Sequence, residues 1–111
     1  EGWRILQRLP PGARADLFLF FKECLVNISR HSGATRFHTR LTADKHEVRL
    51  VIGDNGRGVG ESGEDAVPPS LKRRAHLLGA QVTAGNSADG GVIITLSLKP
   101  KKLMKTHNRH E

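Results

Sequence analysis

The sequence predicts a small α/β domain, and three observations carry that reading. Apolar residues recur at helical spacing after Pro10-Pro11-Gly12, two β-rich segments are joined by Asp44-Lys45, and a second helical segment precedes two short strands around a glycine turn. In chain order the elements read α-β-β-loop-α-β-β. A chain of 111 residues holds one compact core of modest size.

The first helix is expected from about Ala13 to His31, because Ala13, Leu17, Phe20, Phe21, Cys24, Leu25 and Ile28 recur three and four apart. Ser32-Gly33 can end it, since glycine takes the left-handed conformation after a final turn. Ala34 to Ala43 and Glu47 to Gly53 read as a hairpin. Gly53 to Pro69, rich in glycine and acidic residues, reads as a mobile loop with no core of its own. Ser70 is the expected N-cap of a helix through Leu71, Ala75, Leu77 and Leu78, closed by Gly79. Gln81 to Ala84 and Val92 to Leu98 are expected strands around an Asn86 to Gly91 turn. Phe18, Phe20 and Phe21 are expected in the core. The domain is assigned to residues 1–100, and 101–111 to a flexible basic tail.

Composition narrows the functional classes. The longest uninterrupted apolar stretch, Leu17 to Phe21, is far short of the roughly 20 residues that cross a bilayer. Cys24 stands alone, so no intramolecular disulfide or cysteine-based metal site can form, and a cytoplasmic setting is the expectation. The start Glu1-Gly2-Trp3 lacks an initiator methionine and a signal pattern, which points to a piece of a longer protein. Eighteen Lys and Arg against 11 Asp and Glu give +7, a balance suited to a polyanionic partner. Nucleic acid is not expected, because many cations cluster in the tail and aromatic residues are only 5%, leaving no stacking platform.

Two constellations could carry chemistry. Glu23 and Asn27 stand four apart on the first helix, with Arg30 and His31 one turn further, placing a carboxylate, an amide oxygen, a guanidinium and an imidazole along one stripe. A metal-bound polyphosphate needs that inventory: a hard oxygen ligand, cationic donors and a proton acceptor. A charged stripe is also the ordinary solvated side of a surface helix, and spacing leaves both readings open. The second constellation, Gly53-Asp54-Asn55-Gly56-Arg57-Gly58-Val59-Gly60, directly follows an apolar strand. Glycines there let the backbone pass close to a ligand, and a carboxylate can accept from an exocyclic amine; a hairpin turn at Asn55-Gly56 is the alternative. The spacing matches neither the phosphate-binding P-loop nor the dinucleotide fingerprint. The six histidines show no zinc spacing, and no serine sits in a hydrolase elbow. Lys72-Arg73-Arg74 reads as a solvated helix start.

Taken in order, these segments resemble the catalytic ATP-binding domain of two-component sensor histidine kinases, a branch of the gyrase, Hsp90, histidine kinase and MutL superfamily. The resemblance runs from about Asp16 to Pro100. Lys22-Glu23-Cys24-Leu25-Val26-Asn27-Ile28-Ser29-Arg30-His31-Ser32-Gly33-Ala34 is similar to the N box of the nitrate-sensor and desaturase-regulator type, and Asp54-x-Gly56-x-Gly58 resembles the G1 box. Arg74-Ala75-His76-Leu77-Leu78-Gly79 and the strand after Gly90-Gly91 follow in the family's order.

The resemblance implies a two-layer α/β sandwich of the Bergerat type, a mixed sheet with helices on one face, binding ATP and Mg²⁺. It implies that Asn27 ligates Mg²⁺, that Glu23 is the base acting on the acceptor histidine, and that Arg30 and His31 lie near the phosphates. Asp54 would accept the adenine amine, Gly56 and Gly58 would pass the base, and Gly60 to Pro69 would form the ATP lid. The implied partners are an acceptor-histidine dimerisation domain of the same protein and a response regulator, in a homodimeric parent of a family that includes membrane-anchored members, with the piece itself monomeric. Two positions depart from the family pattern. Val67-Pro68-Pro69 replaces a glycine-containing G2 segment, and prolines cannot donate N–H groups to a phosphate; Val92 stands where a threonine hydroxyl is usual. These departures keep open a degenerate domain serving as a regulatory or docking module.

Overall fold

In the computed structural model the described residues are 2–28, 33–56, 66–88 and 90–100. The elements are α1 (Gly2–Arg8), α2 (Pro11–Asn27), β1 (Phe37–Ala43), β2 (Val48–Asp54), α3 (Pro69–Leu78), β3 (Gln81–Asn86) and β4 (Val92–Leu98). The strands form one sheet in the order β1-β2-β4-β3. Buried residues alternate along it: Val48, Leu50 and Ile52 on β2, Val82 and Ala84 on β3, and Ile94, Leu96 and Leu98 on β4. All of these fall on one face, and there they form a single cluster with Ala13, Phe20 and Cys24 of α2 and Leu71, Ala75 and Leu78 of α3. The two-layer α/β sandwich expected from the sequence is the observed fold class.

The sheet itself departs from expectation: it is antiparallel at every described pairing rather than mixed. β2 and β3 do run in the same direction, as a crossover through α3 requires. β4 returns from β3 by a tight turn and fills the place between them, so the two parallel strands never share a ladder.

The helices also adjust the expectation. α1 has no counterpart in the sequence reading, because seven residues are too few to display a period, yet Ile5 and the following Leu9 are both buried. α2 starts at Pro11, whose fixed φ suits a first helical position and whose missing N–H has no helical acceptor there. Regular α-helix ends at Asn27, with Ile28 as C-cap; the expected continuation to His31 falls on residues 29–32, outside the described residues. Gly33 has φ +66°, in the left-handed region; the residues of the expected helix end that precede it, through Ser32, fall on that same stretch outside the described residues. Phe18 is 63% exposed and Leu77 61%, so neither is in the core. Phe18 is one residue after Leu17 and two before Phe20, off the stripe of α2 that meets the sheet.

The segment expected to be a loop and lid through Pro69 is shorter at its C-terminal end. Val67 is a core residue, Pro68 is the N-cap of α3 and Pro69 its first helical residue, so Ser70 is not the cap. Residues 57–65, which include Gly60 to Asp65 of the expected lid, and 101–111, the expected tail, lie outside the described residues. Gly79 closes α3 in the left-handed conformation, as expected. Among the described residues no helix is long and apolar enough to cross a membrane.

Cys24 is buried in α2, and that burial, with the charge of Glu23 second, pushes its thiol up to about 12. Iodoacetamide at pH 8 is therefore expected to alkylate the folded chain at least about a thousandfold more slowly than the urea-unfolded chain, because the thiolate is the reactive form. Equal rates, followed by mass spectrometry, would contradict the buried position.

Candidate functional site

Asp54 is the one buried charged side chain among the described residues, at 4% exposure. It ends β2 on the face that the helices cover, opposite Phe37 of β1. A carboxylate held out of water needs hydrogen bonds, and the adjoining backbone supplies them. Oδ1 accepts from the Gly56 N–H at 2.8 Å, which folds the chain sharply after the strand, and from the Val92 N–H at 3.4 Å, which ties β2 to the start of β4. Neither of these two bonds uses Oδ2. Gly91 is buried directly against this residue: a Cβ added there would collide with the Asp54 carbonyl oxygen and with Oδ1.

Asn55 fixes the approach to β1. Its Oδ1 accepts from the Thr35 and Arg36 N–H groups at 3.0 and 2.9 Å, and its amide donates to Thr35 Oγ1 at 2.9 Å. The result is a cavity of about 520 Å³ lined by Arg36, Phe37, His38, Asp54 and Asn55. His38 lies over Gly53, the residue it pairs with across β1 and β2, where its imidazole occupies the space a Cβ would need.

On α2, Glu23 and Asn27 are both half-buried and lie on the same side of the helix. The Asn27 amide nitrogen donates to the Glu23 backbone oxygen at 3.0 Å. That bond pins the side chain along the helix and leaves its Oδ1 as the end not engaged there. Asn27 does not line the cavity beside Asp54. Arg30, His31 and Gly58 lie outside the described residues. Among the described residues no group of three His, Cys, Asp or Glu side chains gathers as a metal site.

The sequence singled out Asp54 and Gly56, whose N–H is one of the two donors to Oδ1, but not the other groups packed around the carboxylate. Gly91 was legible only as part of a closing Gly90-Gly91 pair. The Val92 N–H is a backbone group with no residue signature, and it needs no hydroxyl on that side chain. Asn55 read as a turn residue; its position straight after a strand-ending aspartate is the signal that it also bridges backward.

The chain is 29% identical over 104 residues to the sensor histidine kinase MctS of Rhizobium johnstonii, covering 87% of this chain and 22% of that protein. It is 26% identical over 95 residues to the signal transduction histidine-protein kinase/phosphatase DegS of Brevibacillus brevis, covering 83% and 25%. The crystal structure of the ATP binding domain of PrrB from Mycobacterium tuberculosis superposes with a TM-score of 0.61 at 25% identity, over 78% of this chain and 68% of that one. No protein-family profile matches the chain. Sequence and fold together support a histidine kinase ATP-binding domain, and the chain spans about a quarter of the length of these two kinases or less.

Gly91→Ala is expected to lower stability by about 1–3 kcal/mol, because the methyl group must displace the Asp54 backbone or side chain. Gly85→Ala is the control, since its added Cβ meets nothing within 4 Å. Urea unfolding that gave the two variants the same midpoint would remove the close contact at Asp54.

Proposed function

We propose that this chain binds ATP with Mg²⁺ and presents the γ-phosphoryl group to a histidine on a separate dimerisation domain, as the catalytic domain of a two-component kinase. The observation that carries the proposal is Asp54: a buried carboxylate whose Oδ1 is held by two backbone N–H groups while Gly91 packs against it without a side chain. A carboxylate fixed in that way is suited to accept from the exocyclic amine of adenine through Oδ2, and the surrounding protein bonds keep it oriented before the base arrives.

The donor set on α2 fits the other end of the nucleotide. Asn27 would offer Oδ1 as a hard oxygen ligand while its amide nitrogen stays bonded to the helix. A single protein oxygen of this kind suits Mg²⁺, which usually keeps several waters and takes phosphate oxygens rather than a protein cage. When bound, the ion supplies charge compensation for the phosphates. Arg30 and His31 would add positive charge toward the same groups. Glu23 would accept the proton of the attacking imidazole as the phosphorus–nitrogen bond forms and the bond to the ADP oxygen breaks. Phosphoryl transfer depends mainly on positioning and charge, so this arrangement requires no protein nucleophile on the domain. A response regulator would then take the phosphoryl group from the acceptor histidine.

Prolines 68 and 69 are the N-cap and first residue of α3, where the helix itself tolerates a missing N–H. Val92 contributes through its backbone N–H, so the Asp54 carboxylate is anchored without the threonine usual at that position.

Isothermal titration with ATP and Mg²⁺ tests the adenine end. Asp54→Asn and Asp54→Ala are expected to weaken binding by on the order of 10- to 100-fold, the effect of losing a hydrogen bond to a charged group. Equal affinities in folded variants would refute the assignment, and an unmodified chain whose Tm does not rise with ATP would favour a regulatory or docking module instead. In a protein that also carries the acceptor domain, Asn27→Ala should abolish autophosphorylation; retained activity would refute the metal role.

A further inference from the structure

β1 is an edge strand among the described residues, and every position from Phe37 to Thr42 is exposed. Natural sheet edges are commonly blunted by shortness, proline, a bulge, charged side chains or a covering helix. β1 is seven residues long without proline, and its register with β2 runs one for one from Phe37 opposite Asp54 to Ala43 opposite Val48; Arg40 is its one charge of fixed sign, and α1 approaches it while leaving Phe37 to Thr42 exposed.

The direction of its backbone follows from two hydrogen bonds at the ends of the ladder. The Asn55 N–H donates to the Arg36 oxygen at 3.2 Å, and the Asp44 N–H donates to the Glu47 oxygen at 2.9 Å. Antiparallel pairs alternate between bonded and non-bonded positions, so Arg36, His38, Arg40 and Thr42 turn their N–H and C=O groups toward β2. Phe37, Thr39 and Leu41 therefore turn theirs toward the free edge. The side chains sort the same way. Phe37 and Leu41, exposed at 54% and 46%, share the face of the helix layer, while His38 and Arg40 share the opposite face, with Arg36 preceding them. Of the acids near β1 among the described residues, Asp44 and Glu47 lie at the far turn, with Glu47 engaged by Ser97 Oγ at 2.5 Å and Arg49 at 3.7 Å, and Asp54, opposite Phe37, is buried with its Oδ1 held by the Gly56 and Val92 N–H groups.

We propose that the β1 edge binds an extended acidic segment of a partner protein as a fifth, added strand. Main-chain bonds to Phe37, Thr39 and Leu41 would supply affinity. Apolar residues of the segment would lie beside Phe37 and Leu41, and alternate carboxylates beside Arg40 and the Arg36 end. A second copy of this chain is the poorer occupant, because its own β1, Phe37–Ala43, contains no carboxylate to set beside Arg40. This inference rests on the strand edge and does not depend on the nucleotide reading, although Arg36 and Phe37 also line the cavity beside Asp54.

The test uses the full chain and a capped heptapeptide of alternating valine and glutamate, with the valine and lysine heptapeptide as counterpart. Fluorescence anisotropy should show saturable binding of the glutamate peptide and at least about tenfold weaker binding of the lysine peptide, with Arg40→Glu weakening the former about tenfold. Amide exchange followed by NMR should slow at Phe37, Thr39 and Leu41 on peptide addition. Thr39→Pro removes only an outward N–H and should abolish binding while the far-ultraviolet spectrum is retained. If that variant fails to fold, Arg40→Glu and the exchange pattern still decide. No binding at millimolar peptide, equal binding of both peptides, protection elsewhere, or a dimer in sedimentation that buries the same amides would each overturn the proposal.

Discussion

A buried carboxylate must be surrounded by donors, and that requirement at Asp54 organises one whole end of the domain. The side chain leaves β2 on the covered face, so the chain beyond it has to turn at once to bring the Gly56 N–H back to Oδ1, and β4 has to begin where the Val92 N–H can reach the same atom. Residue 91 can then have no side chain, because the space a Cβ would take is occupied by Asp54 itself. A turn, a strand start and a glycine that are remote in sequence thus answer to one charge.

What could be read from the chain divides along the same line. Local patterns were legible: the spacing of Ala13, Phe20 and Cys24 gave α2, the Asp44 turn gave the β1–β2 hairpin, and Gly79 marked the end of α3. In that turn the Asp44 carboxylate accepts from the His46 and Glu47 N–H groups, which hold its pKa below the ordinary value. The motif order around Glu23, Asn27 and Asp54 resembles that of the histidine kinases. Relations between distant segments were not legible. The placement of β4 inside the sheet, the Val92 contact and the burial of Ile5 depend on tertiary packing that leaves no periodic trace. Prolines 68 and 69 show a different failure: composition made them loop residues, although φ near −60° suits a helix start equally well.

β1 joins the two sides of the functional argument. Its alternation puts Phe37 opposite Asp54, while the same pleat sends His38 over Gly53 on the other face, and both side chains line the cavity. The strand closes one wall of the site with its side chains and its inward bonds, and keeps a second set of main-chain groups facing outward. One short segment can serve both purposes because the side-chain period and the hydrogen-bond period are each two.

The last strand of the chain is flanked on both sides, with β2 on one edge and β3 on the other. Until Val92 to Leu98 has left the ribosome, the first hairpin and the segment carrying α3 and β3 have no ladder in common. Assembly of this sheet is consequently a late event of long sequence separation, of the kind that slows folding. The Asp54 carboxylate gains its Val92 donor at that same moment, so completion of the sheet and completion of the anchored acid are one step.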